Sequence, residues 1–303
     1  MKPNRPDRVG QVFAVLGKSV CYVGLFFGMQ ILVQLPVLFS AAIQALLTDG
    51  GEEAMYDALR DVDVMALMLI SGLLTIAVVL AFYLLRRKKL SEALWLRPVS
   101  VPALLTGASL VPALYFVVSI VLAILPEAWT ESYEEASSGI ATGTALGVIY
   151  VAVLAPIVEE FIFRGLVMTR MSQVMPGWLA VLLSSAVFGL CHGESVWFCY
   201  TFVVGAFFAF IDLRAGSILP SVLGHITFNA IGQIMTFIPK TEEGTEIVTA
   251  LGVLFIAAIV LPILNRRGIA ALLRPASKPV PAAPGAWELP GVPGTYDYDP
   301  WEE

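Results

Sequence analysis

Charged residues are scarce in this sequence. Asp, Glu, Lys and Arg make up 14% of the 303 residues, whereas soluble globular domains carry roughly a quarter. Apolar residues make up 58%, and the mean hydropathy is +0.82. The net charge is −6, and no basic patch is interleaved with aromatic residues. This composition excludes an ordinary soluble domain and gives no sign of a nucleic-acid-binding surface.

Cysteine and histidine are also rare. The chain has three cysteines, all within apolar segments: Cys21, Cys191 and Cys199. Because an odd number without paired spacing gives no disulfide framework, we expect these thiols to be small, buried, apolar side chains. The chain has only two histidines, His192 and His225, and each lies within or at the end of an apolar run.

Continuous apolar runs take the place of the alternating pattern that membrane strands would show. Val64–Leu85 and Val101–Leu125 contain no charged residue, and each has the length that a helix needs to cross a bilayer. The first run, Ser19–Leu47, is too long for the apolar part of a signal peptide. We interpret it as a retained membrane helix that bends at Pro36.

The sequence therefore predicts an all-α membrane bundle of about eight transmembrane helices. The predicted spans are Val12–Leu47, Val64–Leu85, Val101–Leu125, Gly143–Met171, Trp178–His192, Ser195–Ile211, Ile218–Phe237 and Ile247–Leu264. Residues 1–142 hold the first three spans, 143–238 form a catalytic core with a polar cavity in the membrane, and 239–274 hold the last span. The proline-rich tail, 275–303, is predicted to be disordered.

The orientation follows from the basic residues, which favour cytoplasmic loops. With the N-terminus inside, the basic residues that fall inside include 86–89, Arg97, Arg170 and Arg214. The loops that fall outside carry acids instead, at 49–63, 127–135 and 242–246. We therefore expect an integral protein of the cell membrane, surrounded by the lipid bilayer, with both termini cytoplasmic.

Several polar residues lie inside the apolar spans, where ionisable groups are costly and usually mark function. The fourth span contains Glu159, Glu160 and Arg164, and the seventh contains His225 and Asn229. Since positions four apart share one face of a helix, Glu160 is predicted to point with Arg164, and His225 with Asn229.

Counting residues from the turns gives the depth of these groups. At about 1.5 Å of rise per residue, Glu159 and His192 lie roughly 20 Å from the same turn near Pro176. Asn229 lies at a similar distance from the turn after Arg214. Three helices therefore bring polar groups to one level, as an active site requires.

Three motifs follow one another in this region. They are Glu159–Arg164 (EEFIFR), Phe188–His192 (FGLCH) and His225–Asn229 (HITFN), which fit the patterns E-E-x-x-x-R, F-x-x-x-H and H-x-x-x-N. In these motifs the sequence resembles the CAAX protease and bacteriocin-processing family, CPBP or Abi, which includes the type II CAAX prenyl endopeptidase. The resemblance covers about residues 143 to 235.

The resemblance implies an eight-helix intramembrane endopeptidase whose polar cavity opens to the cytoplasm. Type II CAAX members of the family cut the last three residues from prenylated C-a-a-X proteins, and bacterial relatives are associated with bacteriocin maturation and immunity. The expected partner is therefore a membrane-tethered peptide or a prenylated protein, and not a nucleic acid.

Amide hydrolysis needs a base that activates water and donors that hold the oxyanion. Glu159 is the candidate base, and His192 could share its water or protonate the leaving amine. His225 and Asn229, on one helix face, could donate to the oxyanion. Cys191 is disfavoured as a nucleophile because it is adjacent to His192, and neighbouring side chains diverge on a helix.

The Glu160–Arg164 pair has two interpretations: it orients Glu159 or a substrate carboxylate, or it is only a neutralising ion pair. The favoured chemistry requires no cofactor. Zinc is the rival, since Glu159, His192 and His225 would supply two histidines and a carboxylate, although the H-E-x-x-H pattern of helical zinc proteases is absent.

Two functions of other classes also fit the composition. Buried Glu, Arg and His form proton relays in transporters, but the chain shows no repeated pair of broken segments. A non-catalytic membrane scaffold, as in bacteriocin immunity, is the other alternative. Loss of peptide cleavage on changing Glu159 would separate the protease from both.

Overall fold

The computed structural model describes residues 8–48, 51–60, 62–138, 144–238 and 241, and a few isolated positions further on: 251, 252, 254, 259, 260, 267 and 270. Within this part of the chain every regular element is a helix. Most of the predicted span Ile247–Leu264, like the tail 275–303, lies outside the described residues.

The helices begin and end as follows: α1 Arg8–Leu47, α2 Gly51–Arg60, α3 Val64–Leu85, α4 Leu90–Ala93, α5 Val101–Ile124, α6 Glu127–Ser138, α7 Ala145–Val174, α8 Gly177–Leu190, α9 Ser195–Ala215 and α10 Leu219–Thr236. Helix α7 is continuous but contains two π-helical segments, Tyr150–Leu154 and Glu160–Met168. Helices α2 and α6 are short, polar and unpredicted, and they lie in the acidic loops.

By length and composition, five of the described helices could cross a membrane: α1, α3, α5, α7 and α9. Helix α8 is apolar but has only 14 residues and ends at Leu190, two residues before the predicted end of that span. The prediction of an all-helical membrane protein is confirmed. The count of eight spans stays a prediction.

The surface of the bundle is apolar, as contact with lipid requires. Phe13, Val20 and Leu85 are among many large apolar side chains that lie mostly exposed on α1 and α3. Two cysteines, Cys21 and Cys199, share this exposure, so their predicted burial is wrong. In a membrane protein an apolar side chain can face lipid as readily as the core.

Local sequence sets where the helices start. The Asp63 carboxylate accepts a hydrogen bond from the N–H of Ala66 at 3.0 Å and caps α3, and Glu194 accepts one from the N–H of Trp197 at 2.8 Å and caps α9. Helix α9 is capped at its C-terminal end by Gly216, whose left-handed φ of 67° favours glycine. Helix α1 continues through Pro36.

Helix α7 lies at the centre, packed against α1, α3, α8, α9 and α10. Toward its C-terminal end the helices enclose a layer of fully or almost fully buried apolar side chains, here called the apolar layer: Val15, Trp95, Val167, Met168, Met171, Ala180, Val181, Ala209 and Ile218. This layer closes the bundle between the polar residues of α7 and the turns that follow α7 and α9.

Candidate active site

Helix α7 presents Glu159, Glu160 and Arg164 at the junction between a short α-helical turn and the second π-helical segment, which begins at Glu160. A π-helical turn holds an extra residue compared with an α-helical turn and re-aims the side chains around it. Such segments occur frequently at functional sites. The second π-helical segment therefore overlaps the charged motif Glu159–Arg164.

The two adjacent glutamates have different environments. The Glu160 side chain is fully buried, whereas 17% of the Glu159 side chain is exposed. A carboxylate that activates water must be reachable by water, and a fully buried carboxylate needs a permanent partner. Glu159 is therefore the more accessible of the two carboxylates, and Glu160 is the one that depends on buried partners.

Arg164 is the permanent partner of Glu160. Its Nε lies 3.2 Å from Glu160 Oε2, as the four-residue spacing predicts. Its Nη2 donates to the Gly205 carbonyl oxygen at 3.2 Å, and its guanidinium lies 4.4 Å from the centre of the Phe188 ring. A side chain at position 205 would place Cβ 3.1 Å from Nη2, so glycine permits this approach.

His225 connects the two glutamates. Its Nδ1 lies 2.8 Å from Glu160 Oε1, and its Nε2 lies 3.7 Å from Glu159 Oε2. Because an ionised carboxylate only accepts hydrogen bonds, Nδ1 carries a hydrogen and Nε2 is the nitrogen that faces Glu159. The rings of Phe188 and Phe208 pack on the imidazole, with centroid distances of 5.9 and 5.6 Å.

His192 lies just beyond the end of α8, in the connection to α9. Its Nδ1 is 2.9 Å from the Phe188 carbonyl oxygen. A carbonyl oxygen accepts but cannot donate, so Nδ1 carries the hydrogen, and the neutral ring keeps the lone pair of Nε2 for another partner. The His192 ring packs on Phe188 at 4.8 Å, so both histidines of the chain contact the same phenyl ring.

Asn229 binds the backbone of α7. Its Nδ2 donates to the Val151 carbonyl oxygen at 2.9 Å. In the π-helical register seen where Ala155 N–H bonds to Tyr150 O, the next donor would be the N–H of residue 156, which proline lacks. Pro156 therefore frees the Val151 carbonyl, and one hydrogen of the Asn229 amide occupies it.

The structure thus brings Glu159, Glu160, Arg164 and His225 into one contact network. His192 joins it through Phe188, and Asn229 lies on the same face of α10 as His225. Two contributors were missed from the sequence. Phe188 enters the sequence prediction only as the first position of a motif, although Arg164, His192 and His225 all contact its ring.

The second missed residue is Asp212, which is fully buried in the last turn of α9. The predicted span ends at Ile211, one residue earlier, and therefore places Asp212 in a loop. An acid that directly follows an apolar run was the available signal.

The predicted metal ligands do not fit a zinc site. Zinc needs three or four ligands that converge within about 2 Å of the ion. In the described part of the chain no group of three His, Cys, Asp or Glu residues lies close enough to hold a metal.

The partly exposed members of the site lie on one side of the network. Glu159, His192 and Asn229 are partly exposed and lie toward the α8–α9 connection, whereas the apolar layer closes the opposite side. Glu194 in this connection accepts a hydrogen bond from the Ser132 hydroxyl of α6 at 3.0 Å. Helix α6 therefore packs at the same end of the bundle as these partly exposed residues.

The charge of Glu194 is maintained in this contact. Burial raises the pKa of its carboxyl, but hydrogen bonds from the N–H groups of Trp197 and Val196 and from the Ser132 hydroxyl lower it more. The pKa of Glu194 therefore lies below its usual value, and the carboxylate is ionised at neutral pH.

Residues 141–231 match the family described as "Type II CAAX prenyl endopeptidase Rce1-like". This range contains all of the predicted site residues. The predicted family resemblance is confirmed. The match lies in the segment that folds into α7 to α10, which carry the network described above.

Two curated relatives align with the chain. It is 27% identical over 115 residues to "Putative membrane peptidase YdiL" of Bacillus subtilis (strain 168), across 37% of this chain and 47% of that protein. It is 26% identical over 141 residues to "CAAX prenyl protease 2" of Caenorhabditis elegans, across 39% of this chain and 52% of that protein. The alignments span about half the length of these relatives. No solved structure matches the chain.

Proposed function

We propose that the protein is a membrane endopeptidase in which Glu159 activates the water that attacks a peptide bond. The supporting observation is the contact of a partly exposed carboxylate with His225, whose other nitrogen is held by the buried Glu160–Arg164 pair. A carboxylate base, Glu159, thus lies beside an imidazole that is fixed at its other nitrogen, an arrangement suited to general-base catalysis.

In this mechanism Glu159 takes a proton from water as the oxygen bonds to the carbonyl carbon. His225, held at Nδ1 by Glu160, presents Nε2 toward the reacting groups and, when protonated there, donates to the oxyanion. The second hydrogen of the Asn229 amide is the other candidate donor, since the first is bound to Val151 O.

His192 completes the cycle by carrying the proton that Glu159 took from water to the leaving amine. Its Nε2 accepts this proton because Nδ1 already carries a hydrogen that is bound to the Phe188 carbonyl. Collapse of the tetrahedral intermediate then breaks the C–N bond and releases the amine and the carboxylate product. All of these proton transfers use side chains of this chain, and no cofactor is required.

The proposed substrates are peptides tethered to the membrane, including the C-termini of prenylated proteins. This proposal rests on the family match and on the name of the Caenorhabditis elegans relative, together with the apolar exterior of the bundle. Substrate is proposed to enter from the side of the α8–α9 connection, because the apolar layer closes the other side.

This direction of entry bears on the predicted orientation. The turns that follow α7 and α9, expected to be cytoplasmic from Arg170 and Arg214, lie at the closed end, and the acidic helix α6 packs at the same end as the partly exposed site residues. Cytoplasmic entry with these turns inside would therefore require a lateral path. The orientation with both termini cytoplasmic is therefore a proposal separate from the side of entry, and the side of entry can be tested by itself.

We expect reconstituted protein to cleave a lipid-tethered fluorogenic peptide faster than the same untethered peptide, on the order of 10²-fold at equal bulk concentration, because the membrane raises the local concentration. The measurement is initial rate in proteoliposomes, with Glu159→Gln protein as the background. Equal turnover of the two peptides would contradict a membrane-tethered substrate.

The same liposomes test the side of entry. In a variant without native cysteines, a cysteine at Ser132 or at Arg87 is labelled from outside to score which end of the bundle faces out. We expect externally added substrate to be cleaved only by molecules whose Ser132 end faces out. Cleavage by molecules whose Arg87 end faces out would overturn entry beside the α8–α9 connection.

Metal removal is expected to leave turnover unchanged, since the described residues offer no set of three metal ligands. The measurement is cleavage rate after dialysis against EDTA and in the presence of 1,10-phenanthroline. Loss of turnover that is restored by added Zn²⁺, and not by Mg²⁺, would reject the metal-free mechanism.

A further inference from the structure

Asp212 lies in the last turn of α9 and is fully buried, but it has no part in the mechanism above. Its Oδ1 accepts a hydrogen bond from the backbone N–H of Ser221 at 3.1 Å. Its Oδ2 is buried and has no hydrogen-bond partner among the described residues. A buried carboxylate is costly, which argues that its one strong contact has a specific use.

That contact caps α10. The first four N–H groups of a helix have no partner within the helix. In α10, Leu219 N–H bonds to the Ser217 hydroxyl at 3.3 Å, position 220 is proline, and Val222 N–H bonds to Ile218 O at 3.0 Å. Ser221 is the remaining donor of the first turn, and Asp212 satisfies it.

Helix α10 carries His225 and Asn229, which follow Ser221 by one and two turns on the same face. The Asp212 contact fixes the start of α10 against the end of α9. Helix α9 also holds Arg164 through the Gly205 carbonyl. One helix therefore positions both partners of Glu160, the guanidinium and the imidazole.

Asp212 also belongs to the same electrostatic environment as the site. Its carboxyl group interacts electrostatically with Glu160 and Arg164, and the Ser221 side chain interacts with the carboxyl groups of both Asp212 and Glu160. A shift of α10 along its axis would change the 2.8 Å contact between His225 and Glu160.

We propose that Asp212 is a positioning residue, which sets the register of α10 and thereby holds His225 between Glu160 and Glu159. Its effect on catalysis rests on the proposed function. Its effect on the His225–Glu160 contact does not, so the two can be measured separately.

Asp212→Ala removes the acceptor, and we expect kcat to fall on the order of 10- to 100-fold with little change in KM, because misplacement of a reacting group acts mainly on the transition state. Asp212→Asn keeps an acceptor oxygen in the same place and should retain activity within about threefold of wild type. Asp212→Val fills the same space without an acceptor and should behave like Asp212→Ala. Asp212→Val replaces Asp212→Ala as the test variant if the alanine variant does not fold.

Asp63→Ala is the matched control. It removes an aspartate that also accepts from an N–H of a first helical turn, but locally and at an exposed position of α3, which carries none of the site residues. We expect it to lower thermal stability while kcat stays at the wild-type level. A fall in kcat equal to that of Asp212→Ala would show that any lost cap has this effect, and would overturn the proposal.

The second readout does not depend on cleavage. The chain has two histidines, so protein labelled with ¹⁵N-histidine gives two imidazole spin systems, which His192→Gln assigns. Asp212→Ala and Asp212→Val should shift the His225 Nδ1 resonance, Asp212→Asn should restore it, and Asp63→Ala should leave it unchanged.

The outcomes separate the two proposals. If wild-type protein cleaves no peptide but the His225 resonance responds as expected, the protease function fails and the positioning role stands. If folded Asp212→Ala or Asp212→Val keeps both kcat and the His225 resonance, the positioning role fails. Folded Asp212→Asn with the defect of Asp212→Ala would likewise overturn it, because charge rather than the acceptor would then be required.

Discussion

Glu159→Gln is expected to abolish peptide cleavage and to leave the unfolding temperature in detergent close to that of wild type. Removal of a general base costs on the order of 10²–10⁴-fold in rate, and the amide keeps the size and the hydrogen-bonding oxygen of the side chain. Stability should change little because the Glu159 side chain is partly exposed and 3.7 Å from His225, beyond hydrogen-bonding distance.

The measurement combines the cleavage rate of a tethered fluorogenic peptide with thermal unfolding of the same preparation. Glu92→Gln, in an exposed side chain of α4, is the control for loss of a carboxylate and should leave both quantities unchanged. Folded Glu159→Gln protein with near wild-type turnover would reduce Glu159 to an ion-pair partner and would favour a transporter or a scaffold.

Arg164→Met is expected to have the largest effect on stability. It leaves the Glu160 carboxylate fully buried without its cation, and breaking a buried pair in this way costs about 3–5 kcal/mol. Methionine keeps much of the apolar stem, so the loss can be ascribed mainly to charge. Denaturant or thermal unfolding in detergent measures it, and a loss below about 1 kcal/mol would contradict a paired role, since that is the value of an exposed ion pair.

The double variant Arg164→Met/Glu160→Gln separates stability from catalysis. Removing both charges eliminates the uncompensated carboxylate, so stability should recover relative to Arg164→Met alone. Activity should not recover, because His225 Nδ1 then lacks the anionic partner that holds it at 2.8 Å. Recovery of cleavage by the double variant would show that the Glu160–Arg164 pair serves only the fold.

The sequence by itself determined the class of the molecule and supplied the candidate residues of the site. Continuous apolar runs such as Val64–Leu85 require helices in a membrane, because only helices satisfy the backbone within one segment there. Motif spacing paired Glu160 with Arg164, since the i,i+4 relation is a property of any helix. Pro156 has no N–H, so any helix that contains it leaves one backbone carbonyl without its usual partner.

Only the tertiary structure decided which environment each site residue has, and above all how the two glutamates differ. Glu159 and Glu160 are indistinguishable in the motif, but neighbouring side chains on a helix point about 100° apart. Packing of α9 and α10 buries one carboxylate and leaves the other partly exposed. The contact of His225 with both glutamates likewise depends on where α10 starts, which Asp212 on another helix controls.

The open side of the site was also decided by tertiary packing. Residue counts along single helices placed Glu159 and His192 at one depth, but they contain no information about which end of the bundle is filled. The apolar layer is built from α1, the segment after α4, α7 to α9, and Ile218 just before α10. Its closure depends on close packing among separate helices, a property of their arrangement that no single segment of the sequence carries.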